Sequence, residues 1–252
     1  MLQRVFEGRS ALVIGGSGGI GRAVAAGLAL RGARVCVHGG HSAERLERTL
    51  AEVRAAAGAA AAAGAASGFL YRLGEGRPEE AVKFILEEAG ETPEILVLAW
   101  GPFLRASLQE TKAEDWRFLT EFNLIFPEIL VSWVLSSMLK DRWGRILLFG
   151  GTKTSEIRGF TSTAAYSAAK TALGVLIKSA ALAAAGSGVT CNLICPGLTD
   201  TEYSTAGESS YNRRHSPAGA LDCAEIAQAA CAVLENPALN GVLIPVDRGL
   251  WV

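Results

Sequence analysis

The sequence predicts an α/β fold, a doubly wound parallel sheet of about seven strands with helices on both faces. Three observations predict it. Short apolar runs alternate with longer helical stretches along the whole chain, the pattern of repeated strand–helix crossovers. The runs are apolar at nearly every position, as in Ile95-Leu-Val-Leu-Ala99, which fits strands buried on both faces. A glycine-rich segment, Gly15-Gly-Ser17-Gly-Gly19-Ile20-Gly21, lies between the first apolar run and the first helical stretch.

Each element follows from its residues. Ser10–Ile14 is apolar, ends in glycines and reads as the first strand; Gly19–Arg31 reads as the first helix. Arg34–His38 and Ala43–Ala57 are the second strand and helix. The run Ala55–Ala66, nearly all Ala and Gly, closes that helix and adds a connection. Phe69–Leu73 is the third strand, and Pro78 suits the first turn of a helix reaching Ala89. Ile95–Ala99 is the fourth strand, and a long helix covers about Ala113–Leu139. Arg145–Phe149, Thr163–Ala185 and Val189–Ile194 give strand, helix and strand. Cys223–Leu234 and Val242–Val246 close the chain as helix and strand. No linker or repeat interrupts residues 1–252, so they read as a single domain.

Composition excludes several function classes. Half of the 252 residues are hydrophobic, ample for a large core, and the formal net charge is −1. That balance predicts no nucleic-acid or acidic-membrane partner. The five cysteines are odd in number, form no C-x-x-C and mostly sit in apolar runs. They read as buried thiols of a reducing cytoplasm, with no metal site. No signal-peptide core precedes the first strand, and no 18-residue apolar stretch lacks charge, so no membrane span is expected.

Two motifs carry chemistry. Glycines between a strand and a helix allow a tight turn and a close backbone approach to a pyrophosphate, which the helix N-terminus attracts. Gly15, Ser17, Gly19, Ile20 and Gly21 are therefore candidate cofactor contacts. Farther on, Tyr166-Ser-Ala-Ala-Lys170 puts a phenol and an ammonium on one helix face. A nearby ammonium stabilises phenolate and lowers a pKa that is ordinarily about 10. A phenol tuned in this way is a usable general acid/base.

The spacing G-x-x-x-G-I-G, with Y-x-x-x-K about 150 residues later, resembles the short-chain dehydrogenase/reductase family over essentially the whole chain. Asn123 in Phe122-Asn123, the segment Asn192 through Pro196-Gly197-Leu-Thr199-Asp-Thr201, and the closing stretch Asn236 through Asp247-Arg-Gly249 strengthen the likeness. Among its members the chain looks closest to the 3-oxoacyl-carrier-protein reductase-like ones. The resemblance implies a Rossmann-type domain and an NAD(P)-dependent oxidoreductase acting on a carbonyl/alcohol pair. It implies Tyr166 as general acid/base, and Lys170 lowering its pKa and binding the nicotinamide ribose. Asn123 would hold a water that relays protons to Lys170. Pro196, Gly197, Thr199 and Thr201 would border the nicotinamide, and Gly101 would lie beside the cofactor. The family also implies a homotetramer or homodimer built through two long central helices, where Trp116, Phe118 and Trp133 lie at an interface or in the core.

The chain departs from the family pattern on both sides of the site. The usual catalytic Ser aligns with Gly151 by strand and with Lys153 by counting back from Tyr166. Thr152, between them, has the required hydroxyl and is the best candidate. Thr154 and Ser155 are alternates, and the absence of any hydroxyl is a further reading. At the end of the second strand, Gly39 and Gly40 replace the acid that would hold the NAD ribose. His41, Ser42 and Arg45 are within reach of a 2′-phosphate, which tilts the cofactor toward NADP(H) over NAD(H). Arg72 and Trp100 replace residues usual near the adenosine; Trp100 either stacks beside it or turns into the helix interface. The substrate loop, roughly residues 199–218, contains Tyr203, Tyr211, Arg213, Arg214 and His215. Its arginines suit a carboxylate or phosphate, such as a carrier-protein or coenzyme A arm, or simply face solvent. Two other readings stand beside the reductase: a non-catalytic nucleotide sensor or scaffold, and a dehydration or epimerisation on the same fold.

Overall fold

Fifteen runs of regular structure build the protein in a computed structural model that describes residues 4–58, 64–202, 204, 214–216 and 219–250. In chain order they begin β1 (Ser10–Ile14), α1 (Gly19–Leu30), β2 (Arg34–Gly39), α2 (Ala43–Ala57), β3 (Ala66–Leu70), α3 (Pro78–Ala89) and β4 (Ile95–Leu98). Then come α4 (Ala113–Thr120), a π-helical turn (Glu121–Ile125), α5 (Phe126–Asp141) and β5 (Gly144–Phe149). The chain ends with α6 (Ala164–Ala183), β6 (Val189–Pro196), α7 (Cys223–Glu235) and β7 (Leu243–Val246).

The strands form one parallel sheet in the order β3-β2-β1-β4-β5-β6-β7. The chain winds outward from β1 to β3, then crosses back to β4. That reversal leaves a crevice beyond the carboxyl ends of β1 and β4, where open sheets of this kind bind ligands.

Period-two alternation splits the core into two layers. Ala11, Val13, Ile95, Val97 and Leu147 face α1, α2 and α7. Leu12, Ile14, Leu96, Leu98, Ile146 and Leu148 face α3, α5 and α6. These side chains are 2% exposed or less, and each aliphatic one contributes about 1.5–3 kcal/mol by burial. Local signals set the helix starts. Ser42 accepts the N–H of Arg45, and Asp222 with Glu225 forms a reciprocal capping box on α7.

Most boundaries fall within two residues of the sequence expectation, and β3 and the long helix depart from it further. β3 starts and ends three residues earlier than Phe69–Leu73, because its ladder to β2 stops where β2 stops, pairing Gly39 with Leu70. Its first residues are small: a Cβ on Gly68 would lie 2.8 Å from the Val37 carbonyl oxygen, under Leu46 and Leu50. Apolar bulk therefore begins after the strand does. The long helix is interrupted by the π turn, which contains Asn123; such turns recur at functional sites. β6 continues two residues past Ile194, to Pro196.

The run Ala113–Asp141 is long and apolar enough to cross a membrane by length and composition alone, although Glu121, Glu128 and Lys140 leave no 18-residue stretch of it free of charge. Its apolar face is spent on the sheet: Phe122, Phe126, Leu130 and Val134 are fully or almost fully buried there. Tyr203, Tyr211 and Arg213, and residues 59–63 of the Ala/Gly run, lie outside the described residues.

Candidate active site

Two adjoining clefts open at the carboxyl ends of the central strands. The first encloses about 970 Å³ and is lined by Gly15, Ser17, Gly19, Ile20, His41, Gly101 and Thr201, with His38, Ser42, Arg45 and Trp100. The second, about 940 Å³, is lined by Phe103, Arg105, Gly151, Thr152, Tyr166, Pro196, Gly197 and Thr199. Ile20 and Thr201 line both, so the clefts meet there.

The glycine loop forms the wall of the first cleft. A Cβ on Gly21 would lie 2.2 Å from the Gly15 carbonyl oxygen, so Gly21 lines neither cleft but lets α1 start against the loop. The Gly15 N–H donates to His38 Nδ1 at 3.1 Å, and His38 Nε2 sits 2.9 Å from the Tyr71 carbonyl. Those bonds select the tautomer with the proton on Nε2. Burial lowers the His38 pKa to about 4, so the ring is neutral near pH 7. No sequence motif marks His38, because a polar residue closing an apolar run is no signal by itself.

The adenosine-side departures have steric reasons. A Cβ on Gly39 would lie 3.0 Å from Leu70 Cδ2 and 3.1 Å from Ser17 Cβ, so a side chain here needs both neighbours to give way. The Trp100 ring packs edge-on against Phe122 and Phe126, with centroids 5.9 and 6.2 Å away. It therefore turns mainly into the helix interface. Arg72 pairs with Glu75 at 3.2 Å on the surface and does not line the cleft.

In the second cleft Tyr166 and Lys170 stand one turn apart on α6. Lys170 is buried, and its Nζ donates to the Phe149 carbonyl at 2.9 Å. Asn123 is fully buried; its Nδ2 donates to the Pro102 carbonyl at 2.9 Å, and its Oδ1 has no partner among the described residues. Both groups converge on Gly101, where an added Cβ would lie 2.3 Å from Asn123 Oδ1 and 2.9 Å from Lys170 Nζ. A buried acceptor left unpaired costs about 1–3 kcal/mol, so Asn123 Oδ1 marks a place that receives a donor.

The electrostatics reverse one expectation. Helical spacing predicts that the ammonium pulls the phenol pKa down. Instead burial raises the Tyr166 pKa above its ordinary value, with a smaller push from Cys195, and burial lowers that of Lys170 to about 8. The reason is that Lys170 Nζ is spent on the Phe149 carbonyl, so desolvation dominates both groups. Cys195, on β6 just before Pro196-Gly197, reads in the sequence only as a core thiol. It is 2% exposed, burial raises its thiol pKa, and it lies close enough to Tyr166 and Lys170 for its thiolate form to act on both.

The hydroxyl candidates sort out by position. Gly151 backs directly onto the phenol: a Cβ there would lie 3.0 Å from Tyr166 Oη and 2.8 Å from Cε1. Thr154 is fully buried; its Oγ1 accepts the Gly151 N–H at 2.7 Å and donates to the Gly151 carbonyl at 2.9 Å. It clasps the loop and lines neither cleft. Lys153 and Ser155 line a separate small cavity with Glu156 and Arg158. Thr152 alone of these lines the Tyr166 cleft, its hydroxyl donating to the Pro196 carbonyl at 3.1 Å.

The second cleft also holds residues that no motif announced. The Phe103 ring meets that of Tyr166 edge-on with centroids 4.9 Å apart, and the Arg105 guanidinium lies 5.9 Å from the Phe103 centroid. On the outer faces of the long helices, Phe118, Trp133, Val175 and Leu182 are exposed, Leu182 to 79%.

Comparisons with known proteins agree with this geometry. Residues 9–212 match the family model described as short chain dehydrogenase. The 3-oxoacyl-[acyl-carrier-protein] reductase FabG of Escherichia coli (strain K12) is 32% identical over 254 residues, covering 98% of this chain and 99% of the relative. A solved structure of a putative gluconate dehydrogenase from Agrobacterium tumefaciens superposes with a TM-score of 0.82 at 27% identity, covering both chains fully. A single-substitution variant of actinorhodin polyketide ketoreductase, solved with NADPH, gives 0.79 at 26% identity, covering 99% of each chain.

Proposed function

The chain belongs to the short-chain dehydrogenase/reductase family and is an NAD(P)-dependent oxidoreductase acting on a carbonyl/alcohol pair, and from that premise we propose that it reduces a 3-oxoacyl thioester with NADPH. The observation that carries the proposal is the meeting of Lys170 Nζ and the unpaired Asn123 Oδ1 at Gly101 on the wall of the first cleft, with Tyr166 one helical turn from Lys170 in the adjoining second cleft. The substrate class comes from the relatives that the chain matches over nearly its whole length. No observation favours the sensor or scaffold reading.

The residues fit a nicotinamide dinucleotide. Gly15, Ser17, Gly19 and Ile20 would receive its pyrophosphate at the start of α1, with Gly21 shaping that loop. His41, Ser42 and Arg45 lie at the adenosine end of the cleft, which no acidic side chain lines among the described residues. That lining supports NADP(H), because a 2′-phosphate meets no repulsion there. Gly101, Pro196, Gly197, Thr199 and Thr201 would border the nicotinamide. When bound, the cofactor supplies the hydride.

The chain supplies the proton. Tyr166 Oη donates it to the substrate oxygen, and its raised pKa keeps the phenol protonated, which suits the reductive direction. Lys170 holds positive charge near the oxygen that Tyr166 leaves behind. Asn123 Oδ1 positions the donor through which Lys170 replaces the proton. Thr152 turns its hydroxyl from the Pro196 carbonyl to the substrate oxygen. The outer faces of α5 and α6, with exposed Trp133, Val175 and Leu182, support a dimer or tetramer. Five free cysteines support a cytoplasmic location.

The substrate test is direct. Cofactor oxidation is followed with acetoacetyl-coenzyme A, with NADPH and NADH in parallel. Turnover faster with NADPH is expected. A faster rate with NADH overturns the cofactor assignment, and no turnover on any 3-oxoacyl thioester overturns the substrate class.

Lys170 sets the expected pH dependence. Its pKa is lowered, so it is cationic below about pH 8 and neutral above. Reductive kcat/KM is expected to hold below about pH 8 and fall above it. For stability the sign runs the other way. Between about pH 8 and its ordinary value near 10.5, the unfolded chain binds a proton on this Lys that the folded chain does not. Through that window the wild type gains stability relative to Lys170→Met as pH rises, measured as the difference in denaturant midpoint. Flat profiles in both measurements would remove Lys170 from the proposed role.

Thr152→Val keeps the shape and removes the hydroxyl. A loss of about five- to tenfold in kcat/KM is expected, the effect of one neutral hydrogen bond worth about 1 kcal/mol. Unchanged kinetics would mean that no side-chain hydroxyl orients the substrate.

A further inference from the structure

The N-terminus of α1 is already engaged by an anion of the chain itself. The Gly19 N–H, the first of the helix, donates to Glu202 Oε2 at 3.0 Å across 183 residues of sequence. The carboxylate stands where a dinucleotide phosphate oxygen would be received. An N–H that points out of a helix N-terminus is attracted to either anion, and it has one hydrogen to give.

Glu202 reaches this position on a strap that crosses both clefts. The Asp200 N–H donates to the Leu221 carbonyl at 3.2 Å, and the Cys223 thiol donates to the Asp200 carbonyl at 3.7 Å, which tethers the strap just before Thr201. Thr201 lines both clefts, and its N–H donates to Ser204 Oγ at 3.0 Å in a local turn. Arg22, on α1, shares this neighbourhood. The Cys223 thiol pKa is raised first by burial and then by the Glu202 and Asp222 charges, and Arg22 counters them. The carboxylate thus has a hydrogen-bond donor and a helix dipole facing it, while the residue itself is exposed.

We propose that Glu202 is an internal competitor for the phosphate site: it latches residues 199–202 onto α1 when no dinucleotide is present, and it must leave Gly19 before the pyrophosphate can bind. The proposal rests on the reading of the glycine loop as the dinucleotide site. It makes Glu202 a residue that sets cofactor affinity without touching the cofactor. It also couples cofactor entry to release of the strap that borders the substrate cleft, so the two clefts open in order. A protein whose competent state is only a fraction of the population binds more weakly by that fraction. A charge held at an exposed helix N-terminus favours the latched state about two- to fivefold, which leaves roughly 15–35% of the free protein unlatched.

The test compares wild type with Glu202→Gln and Glu202→Ala. NADPH and NADP⁺ dissociation constants are measured by calorimetry, and hydrogen exchange of the Gly19 amide is measured on the cofactor-free proteins. In Glu202→Ala the cofactor is expected to bind about three- to sixfold more tightly, and the Gly19 amide to exchange faster. Glu202→Gln, which keeps the shape and loses the charge, is expected to fall between. Equal affinity in all three proteins, weaker affinity in the variants, or unchanged Gly19 exchange would overturn the latch. Loss of the latch and loss of the site give different results. If neither wild type nor variants bind any dinucleotide, the reading of the glycine loop fails. If all bind equally, that reading stands and the latch fails.

Discussion

Tyr166→Phe is expected to lower kcat for ketone reduction about 10³- to 10⁴-fold while leaving NADPH affinity within about twofold of wild type. The substitution removes one oxygen and keeps the ring. The ring is the structural part: it packs edge-on against Phe103 and lies over Gly151, and Phe preserves both contacts. The oxygen is the chemical part, since it alone among the groups lining the second cleft can give up a proton to an alkoxide and then be resupplied through Lys170. Tyr166 lines the cleft and is only partly buried, so losing its hydroxyl is expected to leave stability nearly level. Single-turnover reduction with excess enzyme separates the chemical step from binding. A variant that keeps more than a tenth of wild-type kcat would take the proton from another donor, and Tyr166 would then be a packing residue.

The sheet is legible in the sequence because its strands are apolar on both faces and its helices repeat at regular intervals. Buried strands leave that signature whatever the protein does. The nucleotide loop is legible because its glycines stand between strand and helix, and Gly21 shows the physical requirement: its missing Cβ is where the Gly15 carbonyl sits. Helical spacing puts Tyr166 and Lys170 on one face, and the glycine loop, Asn123 and the Pro196-Gly197 segment beside them mark the pair as a site. What spacing cannot show is solvation. A four-residue interval puts an ammonium near a phenol, but it does not reveal that the ammonium bonds to Phe149 or that burial outweighs its pull on the phenol. The direction of the Tyr166 shift is therefore out of its reach. The contacts of His38, Cys195 and Glu202 are hidden for a related reason. Each joins segments far apart in the chain, as Gly19 and Glu202 do, and no local pattern encodes such a meeting. The shift of β3 is the local counterpart: small residues at its start hide a strand whose register is set by β2.

Gly101→Ala, a change of one methyl outside any catalytic motif, is expected to cost about 1–3 kcal/mol of stability and at least about tenfold in kcat. The added carbon would lie 2.3 Å from Asn123 Oδ1 and 2.9 Å from Lys170 Nζ, distances at which something must move. Neither neighbour yields easily. Asn123 is fully buried in the π turn and anchored to the Pro102 carbonyl, and Lys170 is buried and anchored to the Phe149 carbonyl. Displacing Asn123 breaks a buried hydrogen bond, while displacing Lys170 moves the charge that supports Tyr166. Overpacking and misplacement of the proton route therefore come from one atom. Gly159→Ala is the matched control, because nothing lies within 4 Å of its added carbon and its backbone is not left-handed. Denaturant midpoints and kcat measured for both variants decide the matter. If Gly101→Ala unfolds like the control and turns over like wild type, the convergence of Asn123 and Lys170 on Gly101 is not what the reaction depends on. If stability falls while kcat holds, Asn123 and Lys170 serve the fold and the proton route runs elsewhere.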